Sequence, residues 1–108
     1  MIIRWLKSIF SERQLGAMRS SRWASVRRLH IKDFCECCGI KGTLLKPLEV
    51  HHILPFNKFP HLELEPTNFI TVCRTCHLLL AHLGSFKSYN KDIKEDAQVL
   101  KSKIELRP

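Results

Sequence analysis

The sequence predicts a small α+β domain: a ββα core pinned by clustered cysteines, with one helix before it and one after it. Three observations carry this: apolar residues at helical spacing near both ends, two short β-favouring runs in the middle, and two Cys-x-x-Cys pairs bracketing those runs. At 108 residues the chain has the length of one domain with one modest core. Its 44% hydrophobic and 26% charged content is ordinary for a globular protein, and no repeat or low-complexity tract interrupts it. We therefore expect one domain over 1–108, built as an N-terminal extension (1–19), a basic helix (20–34), a stapled ββα core (35–84) and a C-terminal helical segment (85–108).

The extension opens with ten largely apolar residues, but Arg4 and Lys7 interrupt them. That run is too short and too charged for a membrane span, and it lacks the uninterrupted apolar stretch and cleavage site of a secretory signal. The expectation is a cytoplasmic chain with no membrane partner, reduced thiols and no disulfides. From Ser20, a capping residue type, Trp23, Val26, His30 and Phe34 recur on one helical face, and Arg22, Arg27 and Arg28 fall on the other. After Cys35-Glu-Cys-Cys-Gly39 and a turn near Gly42, Leu44 to Ile53 reads as a strand interrupted at Pro47. Pro55, Asn57, Pro60 and Pro66 then punctuate an irregular connection, and Asn68 to Cys73 reads as a second strand. Cys76 to Gly84 reads as a short helix stopped by Gly84, with Leu78, Leu79, Leu80 and Leu83 as core. Asp92 to Ile104 reads as a last helix with Ile93, Ala97, Leu100 and Ile104 on one face.

Charge placement narrows the function. The net +8 is uneven: residues 1–33 carry eight Lys or Arg against two acids, 35–85 carry four against four, and 86–108 carry six against four. A neutral middle between basic ends suits chemistry in the middle and a polyanion held by the flanks, with nucleic acid the commonest such partner; a solvated basic face is the plainer reading. Arg22, Arg27, Arg28 and Lys32 are the candidate phosphate contacts.

Cys35 and Cys38 form one C-x-x-C turn, Cys73 and Cys76 another, with 34 residues between them. Such a turn places two thiolates about 3.5 to 4 Å apart, the edge of a tetrahedron around zinc, so two turns close a structural Zn2+ site. In a chain with a thin core such a site contributes folding free energy. Cys37 is left outside the set, since an adjacent Cys-Cys pair is poorer ligand geometry. Cys73-Arg-Thr-Cys76-His77 also matches the haem-attachment pattern, but that reading strands the Cys35/Cys38 pair and requires export.

The string Cys35-x-x-Cys38-Gly39, then Leu48-Glu-Val-His51-His52-Ile53 and Pro55, then Asn68 and Cys73-x-x-Cys76-His77 resembles the HNH endonucleases of ββα-metal, treble-clef-like fold. The resemblance covers roughly residues 20–108 and is most similar to small zinc-containing HNH proteins of bacteriophages and prophages. It implies a metal-dependent DNA endonuclease or nickase in a bacterial cytoplasm, with partners in phage packaging or DNA processing, leaving 5′-phosphate and 3′-hydroxyl ends. It places His52, Asn68 and His77 as the name-giving catalytic residues, with His52 as general base, and His51 where the family has a metal ligand. Asn68 would brace the loop and orient His52.

The residues allow the same chemistry. A divalent ion at His51 and His77, Mg2+ or Mn2+ with Ni2+, Co2+ or Zn2+ also compatible, could bind a phosphate oxygen, and neutral His52 could take a proton from water. Adjacent strand residues point to opposite faces, so His51 and His52 share a site only where the strand ends or bulges. His82 is a candidate third ligand, although five residues from His77 it lies about 140° round a regular α-helix. Glu49 shares a face with His51 and would either support a ligand or face solvent. Duller readings stay open: Asn68 as a turn residue, His77 as an extra zinc ligand, His61 and His30 as loop and packing residues. So do two non-enzymatic functions, a zinc-containing nucleic-acid-binding module and a zinc-stabilised protein-interaction domain, the basic flanks opposing the latter.

Overall fold

In the computed structural model, residues 19–106 are described. The extension expected over 1–19, Arg19 apart, and the last two residues of the C-terminal segment lie outside them. The architecture is α+β: helix α1 (Trp23–His30), antiparallel strands β1 (Glu49–His52) and β2 (Phe69–Val72), helix α2 (Arg74–Cys76) passing directly into a π-helical turn (His77–Ala81), and helix α3 (Ile93–Glu105). Two 3-10 turns, Pro60–Leu62 and Pro66–Asn68, punctuate the proline-rich connection between the strands.

Several elements are shorter than their sequence signals. The basic helix ends at His30, not Phe34, because the chain is needed elsewhere: Ile31 turns extended, the Lys32 N–H donates to Thr71 Oγ1 at 3.0 Å, and Phe34 bridges Lys41. Arg22, not Ser20, occupies the N-cap, while the Ser20 hydroxyl accepts the Arg22 N–H at 3.1 Å. Strand β1 starts at Glu49, not Leu44. Its partner is only four residues long, with Glu49 opposite Val72, and Pro47 has no N–H to offer a ladder. Leu44 and Leu45 stand exposed in a bend. Asn68 belongs to the 3-10 turn before β2 rather than to the strand.

The register fixes what each sheet face sees. Glu49 pairs with Val72 and His51 with Ile70 on one face; Val50 pairs with Thr71 and His52 with Phe69 on the other. The first face packs under the π turn and α3, where Ile70, Val72, Ala81, Ile93 and Ala97 form the buried cluster together with Cys35, Cys37 and Cys76. The second face is covered by α1, whose Trp23 ring lies 5.2 Å from Phe69. Of the leucines expected in the core, Leu79 and Leu83 are 60% and 59% exposed, and Leu78 and Leu80 are half-buried. Ile104 is also exposed, beyond the reach of the core that holds Ile93 and Ala97. Among the described residues no helix is long and apolar enough to cross a membrane.

Candidate active site

The thiols of Cys35, Cys38, Cys73 and Cys76 all lie within 4.8 Å of one another, with Cys38 Sγ and Cys73 Sγ at 3.8 Å. Each C-x-x-C turn is closed the same way, by an N–H from its second cysteine to the sulfur of its first: Cys38 to Cys35 at 3.5 Å and Cys76 to Cys73 at 3.4 Å. Gly39, at φ +83°, reverses the first turn, and its N–H reaches the Cys35 carbonyl at 2.8 Å. Burial works against the Cys35 thiolate, but the N–H groups of Cys38, Cys73 and Cys37 and the Cys38 thiol bring it down to about 7. Burial and the neighbouring thiols push Cys38 and Cys76 up. Four sulfurs this close, with the Cys35 thiolate opposing ionisation of Cys38 and Cys76, need a shared cation to ionise together. Cys37 lies outside the cluster, fully buried and raised to about 12 by burial and then by Cys35.

On the first sheet face a second cluster forms. One nitrogen each of His51, His77 and His82 lies within 4.8 Å of the others: His51 Nδ1 is 3.1 Å from His77 Nε2, and His82 Nε2 is 3.2 Å from the same atom. The partners of the far nitrogens set the tautomers. His82 Nδ1–H donates to the Ser88 carbonyl at 2.7 Å, and His77 Nδ1–H donates to Glu49 Oε1 at 3.4 Å. Both Nε2 atoms are therefore lone-pair acceptors facing each other with no proton between them. Two acceptors at that distance repel, and a cation bound to both removes the repulsion. Carbonyl and carboxylate partners on the far nitrogens are the usual support for metal-binding imidazoles. Burial, then the charges of His77 and His82, hold His51 down at about 3; burial likewise lowers His77, partly opposed by Glu49. His51 and His77 thus favour the neutral form that a metal requires.

His82 reaches this cluster because the helix is π-wound. The His82 N–H bonds to the His77 carbonyl at 3.1 Å, an i to i+5 closure that brings residues five apart to one face. The angular offset expected of a regular α-helix does not apply.

His52 lies on the opposite sheet face, as strand alternation demands, at the last position of β1. Its ring packs 4.3 Å from Trp23 and 5.4 Å from Phe69, and Nε2–H donates to the Glu63 carbonyl at 2.8 Å, leaving Nδ1 as the acceptor. Burial lowers its pKa, against the Glu63 carbonyl bond and with help from Arg19. Buried Asn68 clamps the connection after β1: its Oδ1 accepts the Leu54 N–H at 2.8 Å, and its Nδ2 donates to the carbonyls of Leu54 at 3.1 Å and Leu62 at 3.4 Å.

The HNH endonuclease family model matches residues 35–82, from the first cysteine of the first turn to the third imidazole. Over this segment the chain is similar to the HNH endonucleases. No curated protein and no solved structure matches the chain. Within the matched segment, the four cysteines are placed to hold one metal ion and His51, His77 and His82 a second.

Sequence reasoning missed two supports of this site. Glu63 is buried; its Oε1 accepts the Ser20 N–H at 2.9 Å, its Oε2 lies 3.7 Å from Arg19 Nη1, and its carbonyl holds His52. The only signal was an acid between two leucines, Leu62-Glu63-Leu64. Ser88 acts through its carbonyl, which carries no signal in residue type. Arg22, Arg27 and Arg28 are exposed along α1, whereas Lys32 is engaged with Glu36 at 2.8 Å.

Proposed function

We propose that the protein is a metal-dependent endonuclease or nickase that hydrolyses phosphodiester bonds in DNA, with His52 as general base. The observation that carries this is the convergence of His51 Nδ1, His77 Nε2 and His82 Nε2, the latter two with their lone pairs inward, beside a strand whose next residue is a second buried imidazole. Nuclease chemistry needs both parts, a cation for the phosphate and a base for the water. When bound, Mg2+ or Mn2+ would supply charge stabilisation to the phosphate and to the leaving 3′ oxygen; Ni2+, Co2+ or Zn2+ would also suit imidazoles. The thiol cluster suits Zn2+ in a structural role.

The chain's own residues do the rest. His51, His77 and His82 hold the cation site open toward substrate, with Glu49 and Ser88 fixing two of the rings. β1 ends at His52, so a phosphodiester crossing the strand end meets His51 on one side and His52 on the other. The Nε2–H bond to Glu63 leaves His52 Nδ1 able to take the proton from attacking water, and burial keeps that nitrogen unprotonated at neutral pH. Asn68, tying Leu54 to Leu62, braces the loop that carries Glu63. Arg22, Arg27 and Arg28 give α1 a cationic face for the DNA backbone.

Purified protein should nick supercoiled plasmid only when a divalent metal is added. His52→Ala should lower the rate by about 10²- to 10⁴-fold with folding and metal content intact. Protein that binds DNA but fails to cut it whichever divalent ion is added would be a non-catalytic binding module instead.

A further inference from the structure

We propose that Phe86 is a stacking platform for a nucleobase beside the scissile phosphate, so that the preferred substrate is DNA with an unpaired or single-stranded nucleotide at the cut. The inference rests on the nuclease reading for the position of the phosphate; the ring itself stands on three independent observations.

The first is location with exposure. The Phe86 ring lies 4.9 Å from His82 and 6.0 Å from His77, centroid to centroid, yet the residue is 66% exposed. Burying such a side chain is favourable, and the fold leaves most of that gain unclaimed at the rim of the histidine cluster. The second is the strain in the turn that puts it there. Leu83 sits at φ +54°, the one non-glycine with positive φ among the described residues, and Gly84 follows at φ +87°. A leucine in this region is strained because its Cβ crowds the backbone, and strain of this kind concentrates at functional sites. The third is that the loop is fixed. Gly84 N–H reaches the Leu78 carbonyl at 2.8 Å, Ser85 N–H the His82 carbonyl at 3.0 Å, and Ser88 N–H the Ser85 carbonyl at 2.8 Å. The same loop supplies the Ser88 carbonyl that orients His82, so the ring and the ligand are positioned together.

A phenyl ring with an open face, next to a site that holds one phosphate of a polyanion and followed by Lys87, has a base of the same or the adjoining nucleotide within reach. Every base offers a π-face, which makes such stacking tolerant of sequence. In a duplex those faces are already covered by neighbouring bases, so the ring can stack only where a base has left the helix.

The test measures binding of a short single-stranded oligonucleotide containing 2-aminopurine, with Mg2+ present, in the His52→Ala background where no strand is cut. Phe86→Ala should weaken binding about 5- to 100-fold and abolish the quenching of 2-aminopurine. Phe86→Trp should retain both, and Phe86→Leu, apolar but without a π-face, should not. Unchanged affinity in Phe86→Ala, full rescue by Phe86→Leu, or an equal loss on fully paired duplex would each overturn the platform. Plasmid nicking by the wild type is scored separately. Nicking without any Phe86 effect on binding sinks the platform alone, and a Phe86 effect without nicking sinks the nuclease reading alone.

Discussion

His77 is held from both ends of its ring: Glu49 takes the Nδ1–H at 3.4 Å, and Nε2 faces the His82 Nε2 lone pair at 3.2 Å and His51 Nδ1 at 3.1 Å. That arrangement suits a bound cation, so the residues around the ring should read out in metal affinity before they read out in folding. Glu49→Gln removes the carboxylate charge while keeping an acceptor, and should weaken Mn2+ binding about 10- to 100-fold, the usual effect of losing an outer partner. His82→Ala, which deletes a ligand, should weaken it further, both measured by titration calorimetry. Affinities equal to wild type in both variants would place the cation elsewhere. Part of this was legible beforehand. Period-2 alternation puts Glu49 beside His51, and motif spacing singles out His51, His52, Asn68 and His77. The Glu63 and Ser88 carbonyls were not legible, because any residue carries a carbonyl and only the fold decides where it points.

The π turn explains an apparent mismatch between spacing and geometry. A five-residue interval separates His77 from His82, and regular α-helical winding would send them to different sides. In the structure His77–Ala81 carries one residue more per turn, and the extra length is exposed at Leu79 instead of being packed. Periodicity cannot reveal this from one sequence, since four consecutive hydrophobic residues, Leu78 to Ala81, fit either winding. Strand limits were hidden for a related reason: Leu44 to Ile53 reads as one strand interrupted at Pro47, but β2 supplies partners only as far as Glu49. If the π winding exists to align the two imidazoles, deleting Leu79 should convert it to an α-turn with the histidines four apart and still aligned. Mn2+ affinity in the deletion variant should stay within about 3-fold of wild type, far above that of His82→Ala. Loss of binding equal to His82→Ala would mean that the π turn serves another purpose.

Across the whole molecule, charge and metal divide the work. Exposed Arg27 and Arg28 sit on the helix that covers one sheet face, the histidine cluster sits on the other, and the strand end joins them. If both arginines meet phosphates, replacing them with alanine should flatten the slope of log affinity against log salt by about 1.8, at roughly 0.9 per lost contact, similarly for all duplex sequences. An unchanged slope would remove α1 from the DNA interface. The two metal clusters should also separate under chelation. Among the described residues, three of the ten buried apolar ones are cysteines and two are alanines, so the aliphatic core there is thin, and the thiol cluster ties the Cys35–Cys38 turn to the start of α2 through that core. A zinc ion on four thiolates is worth about 10–16 kcal/mol in small zinc-dependent folds, as much as the entire stability of an ordinary domain, about 5–15 kcal/mol. The histidine cluster bridges β1 and the π turn, which the sheet and α3 already hold together. Mild chelation that strips the imidazole-bound ion should therefore end nicking while leaving the circular dichroism spectrum and the denaturant midpoint nearly unchanged. A thiolate-reactive chelator that removes the second ion should collapse the cooperative transition itself. A chain that keeps its midpoint after losing both ions would show that the cysteines are not what holds the fold together.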